Sequence, residues 1–406
     1  MILLGICIPN YNRINKLKRL ILEIVEQIRR DELSETVQLC ISDDCSPEDP
    51  SVMIENLIQE NSDIDIKYVR KSVNMGMDHN FKDSVLLSDA DYAWIIGNDD
   101  LPYECGIKSV VEFLENHRDV DFLVTPFDVF DGQGVFRFTL NPLECEKSKC
   151  FDTHNLQERG ELFRSIKHNS GIFGFLSNVV FRRELWEKNK KCFLDKMNSI
   201  FIQMYMNIDA VMKGAIYCYE DMKIIKNVAD DETNNSAERI ARILIGLDGV
   251  VEHFFAGWER DYFKQILTDA YINGTVWELS NSVELGEKCQ RIESFKNNIY
   301  RNHYVSENRL DSFFMGKEII VFGAGDYGKR SLDKLKKIEA NIIGVADSNE
   351  LKVGNKLDDC EIMSVSKMIE MYQESLCWIV IASHFGLVDM YNFLKTKKIE
   401  NIAVIY

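Results

Sequence analysis

The chain has 406 residues, which is enough for two or three domains and at least one large core. Its 48 Lys and Arg residues against 65 Asp and Glu residues give a net charge of −17, and such an acidic surface disfavours non-specific binding to nucleic acid. The 11 cysteines form no CxxC pair, so we expect reduced thiols and a cytoplasmic location, without a signal peptide or a bilayer-spanning run.

The first hundred residues alternate between strand-like and helix-like patterns. Apolar runs predict strands over 2–8, 37–42, 64–69 and 92–96. Apolar residues at helical spacing predict helices over 13–30, 51–59 and 80–87. This alternation predicts a parallel sheet with right-handed crossovers, and the ligands of such sheets bind beyond the carboxyl ends of the strands.

The remainder of the chain divides into further stretches. The pattern predicts strands over 121–129 and 177–182, a polar loop or boundary over 230–236, and mainly helix over 237–301. From residue 317 the alternation resumes, with strands over 318–322, 341–346, 377–382 and 401–405 and a helix over 327–337. We therefore expect an α/β fold class with a mostly parallel-sheet domain over 1–228, a helical linker or acceptor-side segment over 229–314, and a small Rossmann-like domain over 315–406.

Polar residues follow three of the predicted strands at the point where each strand ends. The parallel sheet is expected to bring four carboxylates to one rim, namely Asp43, Asp44, Asp99 and Asp100. Such crowding is costly unless a cation or hydrogen-bond donors offset it. A Mg²⁺ or Mn²⁺ ion carrying a diphosphate would do so, since it takes one or two carboxylates and completes its shell with phosphate oxygens and water.

Five segments carry a resemblance to a known family. They are IPNYNR at 8–13, SDDCS at 42–46, NMGMDHN at 74–80, WIIGNDD at 94–100 and FRRE at 181–184. In their order and spacing they resemble the family-2 inverting glycosyltransferases of the GT-A fold, especially the branch of abequosyltransferase-like enzymes of surface-polysaccharide synthesis. The resemblance implies a GT-A domain that binds a nucleotide-sugar donor.

The resemblance also implies roles for single residues. The donor would be held by Pro9, Tyr11, Arg13, Asp43, Asp44, Asn74, Gly76 and Asp99. Tyr11 would pack on the donor base, and Asp43 would accept a hydrogen bond from the ring edge. Asn74 and Gly76 would lie along the ribose and diphosphate, whereas Asp99 would hold the ribose or the sugar.

The metal ligand and the catalytic base are the two remaining roles. The DxD motif of the family has Asn98 at its first position here, which leaves Asp100 as the ligand of Mn²⁺ or Mg²⁺. A carboxylate base must take the proton from the attacking hydroxyl. The Glu-Asp pair of the family is replaced by IQM at 202–204, and of the nearest acids, Asp195 and Asp209, we predict Asp209 as the base. The alternative is that Asp209 is an ordinary solvated helix residue.

A second glycine-rich motif follows the predicted strand over 318–322. Gly323, Gly325 and Gly328 begin a helix, and Asp347 stands at the end of the next strand, as in a dinucleotide fingerprint. This part resembles small Rossmann-like modules attached to bacterial sugar-modifying enzymes. Either it is a second nucleotide site, which Asp326 would oppose by its charge, or the fold serves packing or homo-oligomer formation.

The predicted function is metal-dependent transfer of a sugar, with inversion, from a nucleotide sugar to a glycan acceptor. If that acceptor is linked to a lipid, the enzyme would work at the inner face of the membrane. Two alternatives remain open: a catalytically weak nucleotide-sugar sensor, and an NAD-linked oxidoreductase built on the C-terminal fingerprint. Basic residues of the first predicted helix, such as Arg29 and Arg30, either contact anionic lipid or form a solvated face.

Overall fold

A computed structural model describes residues 2–145, 147–228, 236–269, 271–272, 289, 292, 302–305, 309–383 and 386–405. Contacts between residues divide the chain into two compact units, Met1–Thr268 and Asp269–Tyr406, here called the N-terminal and C-terminal units. The domain boundaries expected from the sequence stay predictions. Most of the predicted loop at 230–236, and much of the predicted helical stretch beyond 269, lie outside the described residues.

The N-terminal unit contains twelve described strands and nine described α-helices. The strands are β1 (Leu4–Asn10), β2 (Val37–Asp43), β3 (Asp65–Arg70), β4 (Tyr92–Ile95), β5 (Asp100–Pro102), β6 (Phe122–Val124), β7 (Phe127–Phe130), β8 (Phe136–Leu140), β9 (Lys149–Asp152), β10 (Val179–Arg182), β11 (Ile216–Tyr219) and β12 (Ile225–Val228). The helices are α1 (Ile14–Arg30), α2 (Ser51–Glu60), α3 (Met77–Leu86), α4 (Gly106–Asn116), α5 (Leu156–Ser165), α6 (Glu184–Asn189), α7 (Ile202–Lys213), α8 (Ala237–Phe254) and α9 (Gly257–Phe263).

The main sheet has the strand order β3-β2-β1-β4-β10-β6-β11-β9. The first four of these strands are parallel, whereas β10 runs antiparallel to both β4 and β6. The strands at its centre are buried on both faces, which explains why β1 and β2 are mainly apolar and do not alternate between apolar and polar residues. The predicted α/β class with a mostly parallel first half is therefore confirmed, and the ends of β1, β2 and β4 lie side by side.

The segment predicted as one strand over 121–129 is two strands, β6 and β7, and the prediction was wrong on this point. The break falls at Thr125 and Pro126, and proline cannot donate a hydrogen bond to a strand ladder. After the break, β7 joins a second sheet of order β5-β12-β7-β8. This second sheet includes Asp100 at the start of β5 and pairs it with Asn227 of β12.

One expectation about the cysteines needs correction. Cys150 of β9 and Cys218 of β11 face each other in an antiparallel pair and are joined by a disulfide, whereas all thiols were expected to be reduced. The other nine cysteines are free thiols. Within the described part of the chain, no helix has the length and apolarity that crossing a membrane would require.

The C-terminal unit is a small parallel α/β structure. Its described elements are α10 (Leu310–Phe314), β13 (Glu318–Phe322), α11 (Asp326–Lys337), β14 (Asn341–Asp347), β15 (Lys356–Leu357), β16 (Cys360–Ser364), α12 (Val365–Ser375), β17 (Trp378–Ile381), α13 (Leu387–Thr396) and β18 (Ile402–Val404). The strand order is β15-β16-β14-β13-β17-β18, and the chain winds outward from β13 first to one side and then to the other. This is the order of a doubly wound sheet, whose ligand crevice lies at the reversal between β13 and β17.

Candidate active site

The first predicted site residue, Asp43, lies at the end of β2 and is fully buried. Its carboxylate accepts hydrogen bonds from Asn10 Nδ2 at 2.6 Å, from the Ser46 amide at 3.0 Å and from the Ser46 hydroxyl. Arg70 Nε lies 3.4 Å from Asp43 Oδ2 and offsets the negative charge. Asp43 is thus held in place at the rim by several donors, and its predicted contact with a donor base stays a prediction.

The second carboxylate, Asp44, shapes the loop before α3. Its two oxygens accept the backbone amides of Met75 at 2.9 Å and Gly76 at 2.8 Å, and Lys71 Nζ lies 3.4 Å away. Gly76 has a φ of +90°, a conformation that residues with a Cβ rarely adopt. Asn74 Oδ1 also accepts the Gly76 amide, at 2.9 Å. The predicted donor residues 74 and 76 therefore lie at the same rim as Asp44.

The third carboxylate, Asp99, is paired with Arg13. Arg13 Nη1 lies 2.9 Å from Asp99 Oδ2, and about a third of each side chain is exposed. The two residues follow β4 and β1, which are neighbours in the sheet. This exposed ion pair places a cation and an anion, both predicted to bind the donor, at the solvent side of the rim.

The fourth carboxylate, Asp100, differs from the other three because it is buried without an ion pair among the described residues. Its oxygens accept hydrogen bonds from the neutral groups Ser177 Oγ and Asn227 Nδ2, the latter at 2.7 Å. Burial raises the pKa of Asp100 to about 7, and the neighbouring charge of Asp99 adds to this rise. A cation near Asp100 would act in the opposite direction, because an opposite charge favours the ionised carboxylate and lowers its pKa.

Two further predicted residues frame the rim. The Tyr11 side chain is 45% exposed, so its ring is available for stacking, and Pro9 is part of β1. Gly97 keeps space for the carboxylates, since a Cβ at that position would lie 2.9 Å from Asp99 Oδ1 and 3.3 Å from Asp100 Oδ2. The geometry brings the predicted donor-binding residues and Asp100 to one edge of the sheet.

A divalent cation at the rim would have to be held by the carboxylate oxygens of Asp99 and Asp100. Within the described residues, no group of three His, Cys, Asp or Glu side chains could hold a metal by itself. Asp100 supplies one buried carboxylate with Asp99 beside it, which is the small number of carboxylates that Mg²⁺ or Mn²⁺ uses when phosphate and water complete its shell. The residues present therefore fit a cation that binds together with a phosphorylated ligand.

The predicted base, Asp209, lies in the last turns of α7. Its carboxylate accepts hydrogen bonds from Lys213 at 2.6 Å and from Asn189 at 3.1 Å. It is seven residues from the start of α7, which corresponds to about 10 Å along the helix axis. The start of α7 is the end that is tied to α3, through Asp78. The catalytic role of Asp209 stays a prediction.

Asp78 was missed as a site residue. It lies in the first turn of α3 and is buried, and its carboxylate accepts the amides of Ile200 at 2.9 Å and Ile202 at 3.4 Å. Burial raises the pKa of Asp78, although these amide hydrogen bonds lower it in part. Asp78 therefore joins the loop that holds Gly76 to the N-terminus of α7.

Ser177 and Asn227 are further residues that sequence reasoning missed. They hold Asp100 but stand 77 and 127 residues away from it in the chain, and no local motif marks either of them. Ser177 is the first residue of the segment predicted as a strand over 177–182, so only its proximity to β4 in the folded sheet could have identified it.

In the C-terminal unit, the second predicted site forms a cavity of about 390 Å³ at the reversal between β13 and β17. Gly325 faces open space there, whereas a Cβ at Gly323 or Gly328 would collide with backbone carbonyls. Asp347 accepts the Ala324 amide at 2.7 Å and the Asn349 amide at 2.8 Å, so its carboxylate supports the glycine loop. These residues are brought together as predicted, and nucleotide binding by them stays a prediction.

The fold and the rim define a class of protein: an α/β domain with acidic side chains at the carboxyl ends of parallel strands, the place where sheets of this kind bind ligands. Residues 5–187, which is less than half of the chain, match the family described as Glycosyl transferase family 2. All five segments that carry the resemblance lie within the matched residues, and the predicted resemblance to this family is thereby confirmed.

Among curated proteins, the chain is similar to the abequosyltransferase RfbV of Salmonella typhimurium strain LT2. The two are 30% identical over 188 residues, which is 46% of this chain and 54% of RfbV, so the chain spans about half the length of that relative.

Among solved structures, TarS 1-349 of S. aureus in complex with UDP is 15% identical, has a TM-score of 0.50 and covers 72% of this chain and 79% of its own. The complex of the same protein with UDP-GlcNAc is 14% identical, with a TM-score of 0.50 and coverage of 83% and 90%. These likenesses concern the fold and agree with the predicted GT-A class.

Proposed function

We propose that this chain is a glycosyltransferase that moves a sugar, with inversion, from a nucleotide-sugar donor to a surface-polysaccharide acceptor. The observation that carries the proposal is the asymmetry of the acidic rim. Asp43, Asp44 and Asp99 each have a cationic partner, whereas Asp100 is buried with neutral donors alone among the described residues. A buried carboxylate that forms no ion pair is expected at a site that binds a cation together with its substrate.

Asp100, with Asp99 beside it, would hold Mn²⁺ or Mg²⁺. When bound, the cation would offset the negative charge that develops on the departing nucleoside diphosphate. Tyr11 would stack on the nucleotide base of the donor, and the loop held by Asp44 would lie along the diphosphate. Arg13 would keep Asp99 oriented toward the sugar. Asp209 is proposed as the base that accepts the proton of the acceptor hydroxyl.

The acceptor is proposed to be a glycan, lipid-linked at the inner face of the membrane. The support for this step is the similarity to RfbV, named as an abequosyltransferase, over about half of that protein's length. TarS, whose fold is similar, binds UDP and UDP-GlcNAc in its solved complexes. A nucleotide sugar is thus the class of donor to test first.

The test is release of nucleoside diphosphate from a panel of UDP-, GDP-, CDP- and dTDP-sugars with Mn²⁺. We expect one donor to be turned over by the wild type and not by Asp100→Asn. Asp119→Asn is the matched control, because it makes the same chemical change at an exposed loop position. Equal turnover by wild type and Asp100→Asn would contradict the metal role, and donor binding without any nucleotide release would favour a sensor.

A second proposal concerns the C-terminal unit: its cavity binds a nucleotide through the N-termini of α11 and α13. Two helices that begin at one cavity, at Gly325 and Gly386, favour a phosphate there. Gly325→Leu should block the cavity without strain, since Gly325 has a negative φ and open space around it. If a nucleotide binds in the C-terminal cavity, we expect its affinity to fall in Gly325→Leu and to stay at the wild-type value in Tyr11→Ala. If the two variants bind every nucleotide with the same affinity, this proposal is wrong.

A further inference from the structure

Two buried amides connect the ends of three neighbouring strands. Asn98, just after β4, donates from Nδ2 to Asn10 Oδ1 at 2.7 Å. Asn10, at the end of β1, donates from Nδ2 to Asp43 Oδ1 at 2.6 Å, at the end of β2. The exposed fractions are 5% for Asn98, 1% for Asn10 and 0% for Asp43. We call these three side chains the amide relay.

The direction of the amide relay is fixed by Asp43. A carboxylate only accepts hydrogen bonds, and the amide and hydroxyl of Ser46 already donate to this one. Asn10 must therefore turn its NH₂ group toward Asp43 and its oxygen toward residue 98. Residue 98 in turn must supply a donor, which asparagine has and an ionised aspartate of nearly the same shape lacks.

This requirement explains why the acidic motif begins with an amide in this chain. We infer that Asn98 is a positioning residue and not a metal ligand: through Asn10 it fixes Asp43, and it sets the distance between Asp43 and the carboxylates of Asp99 and Asp100. The amide relay thereby links Asp43, which is predicted to bind the nucleotide base of the donor, with the part of the rim that is predicted to bind the cation. Its consequence for donor binding rests on the proposed function, whereas its structural part does not.

The first test places an aspartate at position 98, as in the DxD motif of the family. Asn98→Asp changes one buried NH₂ into an oxygen that faces Asn10 Oδ1, so two acceptors meet without a donor. We expect the denaturation midpoint of the full chain in EDTA to fall well below that of the wild type. Asn56→Asp, the same change at an exposed position of α2, should leave the midpoint nearly unchanged. An unaltered midpoint in Asn98→Asp would overturn the inference.

The second test is a double-mutant cycle between Asn98→Asp and Asp43→Asn. No hydrogen bond joins these two residues directly in the part of the chain that the structure describes, so independent sites would give additive losses. In the double variant, Asn10 can turn over, donate to the new carboxylate at position 98 and accept from the new amide at position 43. We expect the double variant to unfold at a higher denaturant concentration than the summed single losses predict. Additive losses would show that no relay runs through Asn10.

A binding arm separates this inference from the proposed function. Affinities for UDP, GDP, CDP and dTDP are measured in EDTA and again with Mn²⁺, for the wild type and Asn98→Asp. We expect the variant to lose about tenfold in affinity under both conditions, the effect of one mismatched buried hydrogen bond. Tighter nucleotide binding with Mn²⁺ in the variant would identify position 98 as a metal position and refute the inference. If the wild type binds none of the four, the proposed function fails, while the EDTA unfolding cycle still decides the relay.

Discussion

Removal of the Asp100 charge gives the sharpest prediction, because the structure supplies its magnitude and its sign. Burial and the charge of Asp99 raise the pKa of Asp100 from the ordinary 3.8 to about 7. A raised carboxylate pKa means that the folded protein disfavours the ionised form, so a penalty appears as the pH rises above the unfolded value and is complete above the folded one. The difference in pKa corresponds to about 4 kcal/mol at most.

Asp100→Asn removes this penalty at little structural cost. Asn227 can still donate to the amide oxygen, and the Ser177 hydroxyl can accept from the new NH₂ group instead of donating. In EDTA, we expect Asp100→Asn to be more stable than the wild type at about pH 8, by up to about 4 kcal/mol, with little difference near pH 4. Adding Mn²⁺ with a bound nucleoside diphosphate should stabilise the wild type more than the variant, because the variant lacks the proposed metal ligand.

The assay is urea denaturation followed by tryptophan fluorescence at several pH values between these two, with Asp119→Asn as the control for loss of one surface charge. The reasoning is refuted if Asp100→Asn is less stable than the wild type at high pH in EDTA. A stability difference that does not change with pH would also refute it, because the argument depends on titration between the unfolded and folded pKa values.

The remaining predictions concern the donor loop, the stacking residue and the base. Asp44→Asn should weaken the hold on the Gly76 amide, destabilise the fold by about 1–3 kcal/mol and raise the donor KM in initial-rate measurements. Tyr11→Ala should weaken nucleoside diphosphate binding by roughly 10- to 100-fold in calorimetry, the effect of one lost stacking contact with a nucleotide base. The unfolding midpoint of the protein should not change, because the Tyr11 side chain is exposed. If Asp209 is the base, Asp209→Asn should lower kcat by about 10²- to 10⁴-fold and leave donor binding intact; near-normal turnover would restrict Asp209 to its ion pair with Lys213.

The elements that position the rim could be predicted from the sequence because their signal is local. A run buried on both faces fixes β1 and β2, and helical spacing fixes α1, whose predicted start at 13 lies one residue before the observed start at Ile14. The partners of Asp100 could not be predicted, since Ser177 and Asn227 reach it only after two different sheets have formed. The disulfide between Cys150 and Cys218 was missed for the same reason, because strand pairing and not cysteine spacing brings them together.

The segment from Gly76 to Asp78 connects the two halves of the proposed reaction. On one side, Asp44 accepts the Gly76 amide and so fixes the loop predicted to lie along the diphosphate. On the other side, Asp78 accepts two amides at the start of α7, where a carboxylate also interacts favourably with the helix dipole. Both carboxylates are buried, so neither can shift without leaving amides unsatisfied. A displacement of this loop would therefore strain the N-terminus of α7, the helix that carries the proposed base, so the proposed donor site and the proposed base would be connected through three residues of backbone.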